Sequence, residues 1–372
     1  QPGQTVVDTC ASPGGKATAL LEMLSGRGAL VANEVIASRL SQLHIALERT
    51  GLPNFIVSNE ELEDLAGPLG GQADLVLVDA PCSGQSMVAK GKQSLSSFAP
   101  VQIEHNAARQ AKLFEQAAKL VRPGGRLVYS TCTFSFAENE AIIAKLLDGS
   151  DEWSPVSEPS LSQWECEDWP GCYRLWPHRD DCAGAFAAAL QRSVSSGATG
   201  FDPAGSASAK SRKSGFEAVP CEALPASCAD WGLSLEDLEC EVFERPRVFR
   251  RGNKQYQLTE LLGFPKQVPQ HWLQVAYSGS RIAESSAPQR SAKPPVWEPC
   301  FASAKSAGAE SSPIELSDAQ TASYVAGESV RIESPLKGWL SVAWEGRRLS
   351  WGKLVGGVLK NHFPKNLRQQ VA

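Results

Sequence analysis

Two cysteines sit where short apolar runs end. Leu75-Val76-Leu77-Val78 leads into Asp79-Ala80-Pro81-Cys82-Ser83-Gly84, and Leu127-Val128-Tyr129 leads into Ser130-Thr131-Cys132-Thr133. Cysteine reacts as the thiolate, and a polar, accessible rim is where a thiolate can be held. A third run, Thr5-Val6-Val7-Asp8, leads into Cys10 and then Gly14-Gly15-Lys16. Paired glycines let a ligand approach the backbone, and a helix opening behind them offers free N–H groups. Glu34 lies 20 residues after Gly14, where an acid can take ribose hydroxyls. The turn matches neither G-x-G-x-x-G nor the Gly-x4-Gly-Lys-Ser/Thr phosphate loop. The chemistry these residues permit is nucleophilic addition by a thiolate, next to a nucleoside cofactor.

The elements that must position them follow from the apolar pattern. Strands are predicted at 5–8, 29–32, 55–57, 75–78 and 127–129. Helices are predicted around 19–24 and 40–47, over 104–121 up to Pro123-Gly124-Gly125, and over 138–147. Repeated βα units give an α/β fold with a doubly wound parallel sheet. Ligands of such sheets gather at the carboxyl ends of the strands, and four strand ends here carry polar or reactive residues. Tyr173–Pro177 and Ala183–Leu190 read as a closing pair of strands, or a strand and a helix.

Three phrases now occur in one order: DTCASPGGK (8–16), DAPCSG (79–84) and STCTFSFAENE (130–140). In type and spacing they resemble the RNA cytosine-5 methyltransferases of the NOL1/NOP2/Sun family, over about the first 190 residues. The resemblance implies a Rossmann-like domain that binds S-adenosyl-L-methionine. Cys10, Ala11, Ser12, Pro13, Gly14, Gly15 and Lys16 would wrap the cofactor, with Glu34 on its ribose. Glu61 takes the place of the family's acid after strand three, next to Glu60, and Asp79 would contact both cofactor and target base. Cys132 would be the nucleophile that adds to cytosine C6, and Cys82 would assist release of the methylated product. Having both cysteines favours RNA over DNA as substrate. Read without the resemblance, Cys10 is a small buried hydrophobe. After DAPCSG the family commonly continues Glu-Gly and then a basic pair; Gln85-Ser86-Met87-Val88-Ala89-Lys90 stands there instead. The family's region before strand one is also absent, and a chain opening at Gln1 directly into a strand pattern reads as a piece of a longer one.

A second resemblance lies at the other end. Trp339 to Lys353 and Leu359 to Lys365 look like the PUA-like β-rich module of the family's bacterial small-subunit rRNA enzyme, the RsmF type. The overall charge is −5. Residues 1–150 hold 12 basic and 15 acidic residues, 151–270 hold 12 and 18, and 271–372 hold 12 and 8. Within 337–372, seven basic residues face one acid, Glu345. Cations bind phosphate, and Trp339, Trp344, Trp351, His362 and Phe363 interleaved with them could stack on unpaired bases. Trp339 and Trp344 are expected in the module's own core. Arg250, Arg251, Lys353, Lys360 and Lys365 are the candidate RNA contacts.

The expected organisation is a methyltransferase domain over 1–192, a low-complexity linker over 193–215, and an RNA-binding region over 216–372 with a disordered insert about 283–313. Gly252-Asn253 between 247–250 and 255–258 signals a hairpin. The function expected is methylation of small-subunit rRNA at cytosine C5. The alternatives are a tRNA cytosine-5 methyltransferase, or a non-catalytic RNA-binding or ribosome-assembly factor with a relict site. No metal, no membrane partner and a monomer are expected. The compartment stays open: cytoplasm in a bacterium, nucleolus or organelle in a eukaryote.

Overall fold

The computed structural model describes residues 1–194 apart from Pro53 and Gly149, strand backbone within 217–299, and 313–368 apart from 365–367. Five short strands carry the first domain: β1 (Thr5–Asp8), β2 (Ala29–Asn33), β3 (Phe55–Ser58), β4 (Ala73–Asp79) and β5 (Val121–Thr131). All residues of the first three are buried. Continuous apolar runs of this kind mark strands covered on both faces. Helices α1 (Gly15–Leu24), α2 (Leu40–Glu48), α3 (Leu62–Leu69), α4 (Pro100–Ala118) and α5 (Glu140–Leu147) cover them.

The parallel order is β3-β2-β1-β4-β5, with β1 central and the direction of winding reversing beside it. Two apolar cores result. One lies under α1 and α2, centred on Leu21, Leu43, Leu47 and Phe55, and the other under α3, α4 and α5, centred on Val76, Phe114 and Tyr129. Burying each such side chain contributes about 1.5–3 kcal/mol. Helix α1 buries Ala17, Leu21 and Leu24, a single stripe at helical spacing, and Ser25 in the left-handed region ends it.

Beyond β5 the sheet turns antiparallel. Strands β6 (Trp153–Pro155), β7 (Glu165–Cys166), β8 (Trp169–Leu175) and β9 (Ala185–Arg192) follow, with the short helix α6 (Pro177–Asp180) between the last two. β9 pairs β5 antiparallel and β8 pairs β9. The closing pair is therefore two strands, and the sheet is mixed rather than wholly parallel. Helix α4 ends at Ala118, earlier than Pro123-Gly124-Gly125 suggests, because Leu120 and Val121 are already buried under the sheet. Those three residues lie inside β5, where the register against β4 shifts between Ala73 and Leu75. The predicted helix over 138–147 starts only at Glu140, since Asn139 (φ −120, ψ −99) breaks it.

A second, antiparallel sheet contains β10 (Glu217–Val219), β11 (Pro246–Arg251), β12 (Lys254–Thr259), β14 (Ser280–Ser285) and β15 (Trp297–Pro299), while β13 (Tyr277–Ser278) pairs with β3. β11 and β12 form the predicted hairpin, Arg251 facing Lys254. β14 and β15 lie at the start of, and within, the expected insert at 283–313. Ala283, Glu284 and Ser285 pair with Pro299, Glu298 and Trp297, so a ladder runs through part of a compositionally loop-like stretch. The rest of that insert, and 195–215 of the linker, lie outside the described residues.

The third sheet has the order β16-β18-β19-β20-β17, from β16 (Ile314–Glu315), β17 (Val330–Arg331), β18 (Gly338–Trp344), β19 (Arg347–Val355) and β20 (Val358–Asn361). Helix α7 (Asp318–Ala326) packs on it, opened by a Ser317–Gln320 capping box and closed by Gly327 at φ +104. Its Tyr324 is buried and donates to the Trp351 carbonyl at 2.7 Å.

Candidate functional site

Asp8, Asp79 and Thr131 end three adjacent strands, β1, β4 and β5, and so share one rim. The loops that leave this rim bring the two cysteines together. Cys82 Sγ and Cys132 Sγ are 3.3 Å apart, although 50 residues separate them in sequence. Asp79 stands beside them, its Oδ1 accepting from Ser130 Oγ at 2.7 Å and its Oδ2 from Lys16 Nζ at 2.8 Å.

The two thiols are not equivalent. The hydrogen bond from Cys82 brings the Cys132 thiol down to about 7, with the Ser86 hydroxyl helping and burial and the Asp79 charge opposing. Bonding to Cys132, together with burial, pushes the Cys82 thiol up. As pH rises through about 7 the pair forms one thiolate, on Cys132, while Cys82 keeps its proton.

A buried carboxylate holds this arrangement. Glu138 is 0 % exposed. It accepts from Ser83 N at 2.8 Å, Ser83 Oγ at 2.5 Å, Gln110 Nε2 at 3.0 Å and Thr133 Oγ1 at 3.3 Å. The loop after Cys82, the loop after Cys132 and helix α4 thus close on one side chain. Gln110 sits in the otherwise apolar stripe of α4, and its amide also donates to the Pro81 carbonyl at 2.9 Å. Asn139 adds a second tie, accepting from Thr131 Oγ1 at 2.6 Å and donating to the Thr133 carbonyl at 3.0 Å. The resemblance assigned none of these residues a role. Glu138 and Asn139 lie inside its third phrase, and their lack of an obvious exposed task was the available signal.

The substituted loop keeps its ties. Gln85 Oε1 accepts from Phe134 N at 3.0 Å and its Nε2 donates to the Ser97 carbonyl at 3.3 Å. A glutamate could supply the first of these contacts, and Gln85 supplies both.

The glycine turn has a divided role. Ala11 N donates to the Asn33 carbonyl at 2.9 Å, stitching β1 to β2. The Ser12 and Pro13 peptide is cis, and Arg39 Nη2 donates to the Ser12 carbonyl at 2.9 Å. Gly14 has φ +116, and a Cβ there would meet Ala46 Cβ of α2 at 2.6 Å. Its smallness lets α1 pack on α2. At Gly15 a Cβ would meet nothing within 4 Å, so this glycine borders open space. Cys10 is a resting thiol, pushed up to about 12 by burial.

Glu34 is buried, its Oε1 accepting from Ile36 N at 2.9 Å and its Oε2 facing Arg39 Nη1 at 3.1 Å. Glu61 is exposed and precedes α3. Asn59, two residues earlier, donates to the Glu34 carbonyl at 2.6 Å and ties the β2 and β3 ends together. Asp8 is fully buried; its Oδ1 accepts from Cys10 N at 3.3 Å, and its Oδ2 has no partner. Burial first, and then the Asp79 charge, push its carboxyl up to about 7.

In the third sheet, Trp339 pairs with Lys353 across β18 and β19, and Lys353 with Lys360 across β19 and β20. Directly opposed residues share a face. Lys353 Nζ lies 5.5 Å from the Trp339 ring centroid, and His362 packs on that ring at 4.3 Å. Trp339 is half-buried and Trp344 is also partly exposed, bonding Asp318 at 2.9 Å. This corrects their expected placement: neither is in the module's apolar core, which is built from Tyr324, Val342, Leu354 and Leu359; Trp351, at 1 % exposure, is the fully buried indole. Lys365 lies outside the described residues. Arg250 and Arg251 lie in β11, where only the backbone is described.

Comparison with known proteins agrees with this geometry. The family described as 16S rRNA methyltransferase RsmB/F matches residues 1–191, and the methyltransferase RsmF PUA domain matches 311–369. A ribosomal RNA small subunit methyltransferase F from Vibrio parahaemolyticus is 30 % identical over 381 residues, covering 97 % of this chain and 74 % of that protein. The chain belongs to the RsmB/F family. The member from Erwinia tasmaniensis is 29 % identical over 98 % of this chain and 73 % of its own. The solved structure of NSun6 from Pyrococcus horikoshii with SFG is 28 % identical, has a TM-score of 0.46, and covers 51 % of this chain and 48 % of that one.

RsmB/F enzymes use S-adenosyl-L-methionine, and the rim fits a cationic nucleoside. Three carboxylates, Asp8, Glu34 and Asp79, influence one another there, and one buried oxygen of Asp8 lacks a partner. Gly15 leaves the entrance to α1 open. No helix among the described residues is long and apolar enough to cross a membrane.

Proposed function

We propose that this RsmB/F-family chain methylates a cytosine of small-subunit rRNA at C5, with Cys132 as the nucleophile. The pairing of Cys82 and Cys132 at 3.3 Å carries the reading. Cytosine C5 is a weak nucleophile. Addition of the Cys132 thiolate to C6 gives C5 enamine character. Asp79, held by Lys16 and Ser130, hydrogen-bonds the edge of the base and favours the charge that develops on the ring. S-adenosyl-L-methionine, when bound, supplies an electrophilic methyl carbon. Water at the rim then takes the C5 proton, the C–H electron pair re-forms the C5–C6 double bond, and the Cys132–C6 bond breaks, returning the sulfur as a thiolate. Cys82, the group hydrogen-bonded to that sulfur, assists this last stage.

The cofactor would be held by Gly15 and Lys16 at the opening of α1, by Glu34 and by Asp8. The base must leave its stack to reach the rim. The Trp339, Lys353 and Lys360 row offers an aromatic and cationic surface for RNA backbone and unpaired bases. Residues 1–192 act as the methyltransferase domain and 216–372 as the RNA-binding region, in a monomer. The Vibrio and Erwinia relatives are bacterial, which favours the cytoplasm. Retention of the cysteine pair and of the Gln85 contacts argues against a relict site. Methylation by Cys132→Ala, Cys82→Ala and the parent chain tests the reading. Cys132→Ala should lose methyl transfer. Cys82→Ala should accumulate a covalent RNA adduct on a denaturing gel. Activity surviving in Cys132→Ala would refute it.

A further inference from the structure

Position 86 adds a hydroxyl beside the nucleophile where the family commonly has glycine. Ser86 is 2 % exposed. Its N–H donates to the Cys132 carbonyl at 3.1 Å, which fixes residue 86 against the cysteine. Its hydroxyl oxygen is buried, has no partner at full hydrogen-bond geometry, and lies near enough to Cys132 to favour its thiolate. A buried hydroxyl without a partner is costly, and such groups are kept where a reaction uses them. The neighbouring polar groups are already engaged. Asp79 is taken by Lys16 and Ser130, and Glu138 by Ser83, Gln110 and Thr133. The Cys132 sulfur, beside which the Ser86 N–H holds residue 86, is the acceptor the hydroxyl can serve.

We propose that Ser86 is a positioning residue whose hydroxyl is reserved for the Cys132 thiolate, as a second donor beside Cys82. The proposal rests on Cys132 being the nucleophile. Four groups set the ionisation of Cys132. Cys82 and Ser86 favour the thiolate, whereas burial and the Asp79 charge disfavour it, with Lys16 offsetting part of that charge. With two donors the thiolate keeps one hydrogen bond when the incoming base crowds out the other. Glycine at this position would leave Cys82 as the lone side-chain donor.

The test is the pH profile of Cys132 alkylation by iodoacetamide in the full chain, followed by peptide mass spectrometry. Removing one hydrogen bond to a charged group should move the midpoint up by about one pH unit in Ser86→Ala and Ser86→Gly. Ser86→Thr keeps a hydroxyl and should restore the parent midpoint. An unchanged midpoint in both hydroxyl-free variants overturns the proposal, as does an equal rise in Ser86→Thr, which would assign the effect to packing. Circular dichroism confirms the fold, and the glycine variant serves if the alanine variant does not fold. Alkylation needs no RNA, so failure of the nucleophile assignment shows separately, as methylation that survives Cys132→Ala.

Discussion

Asp8→Asn should make this protein more stable and a worse cofactor binder. Asp8 is fully buried with one unpartnered oxygen, and its carboxyl is pushed up to about 7, from 3.8. A raised carboxyl means that the folded state holds a proton which the unfolded chain has released. The stability from that proton is complete below about pH 4 and is lost as pH rises through about 7. About 3 pK units at 1.36 kcal/mol each give roughly 4 kcal/mol lost by pH 8. Asparagine is neutral at every pH and nearly isosteric, and its Oδ1 can still accept from Cys10 N. Asp8→Asn should therefore melt with the parent near pH 3, slightly above it at pH 5 and well above it at pH 8, by on the order of 10 °C for a domain of this size. Scanning calorimetry at these pH values reads the difference. In calorimetric titration, S-adenosyl-L-methionine should bind Asp8→Asn more weakly at pH 8. Its affinity for the parent should fall as pH drops through 7, because the ionised carboxylate favours a cation. A pH-independent difference in melting, or destabilisation at pH 8, would refute the assignment of a charge buried for function.

Glu138→Gln should unfasten the site from below. The amide presents N–H groups where Ser83, Gln110 and Thr133 also donate, so at least one buried donor loses its acceptor. The expected loss is roughly 2–3 kcal/mol in urea unfolding, with a slowed Cys132 alkylation. An unchanged unfolding midpoint would show that the network is dispensable. In the third sheet, Lys353→Ala with Lys360→Ala should weaken RNA binding uniformly across sequences. The slope of log K against log salt should flatten by about 1.4–1.8, two phosphate contacts' worth. Filter binding at several salt concentrations reads this, and an unchanged slope would remove these lysines from the phosphate contacts.

The strand ends were legible because apolar runs bounded by polar residues are a local pattern. Asp8, Glu34, Asp79, Cys82 and Cys132 were all read from such ends, and the fold converges Asp8, Asp79 and both cysteines on one rim. What stayed hidden is non-local. Glu138 meets Ser83 across 55 residues and Gln110 across 28, and no spacing rule links them. Gly14 was read as room for a ligand, but its neighbour is Ala46, a packing partner that sequence does not reveal. The end of α4 was set by burial of Leu120 and Val121 rather than by the downstream glycines. Composition alone does not say which indole is covered: Trp351 is fully buried, whereas Trp339 stays partly exposed against Lys353.

Two identical side chains sit in different surroundings here, and the difference sets their protonation. Cys82 follows Pro81, whose carbonyl is pinned by Gln110, and precedes Ser83, whose amide and hydroxyl are pinned by Glu138. A thiol fixed on both sides and bonded to its neighbour keeps its proton. Cys132 is the acceptor of the pair and is also favoured as thiolate by the Ser86 hydroxyl. Exchanging the two roles would require the better-donated sulfur to protonate and the more buried one to ionise, against burial and hydrogen bonding together. On the proposed reading, a thiolate at Cys132 adds to the base while a thiol already stands 3.3 Å away, at the sulfur from which the base is later released. On that reading the geometry that starts the reaction is also the geometry that ends it, which requires the second cysteine to be a neighbour of the first.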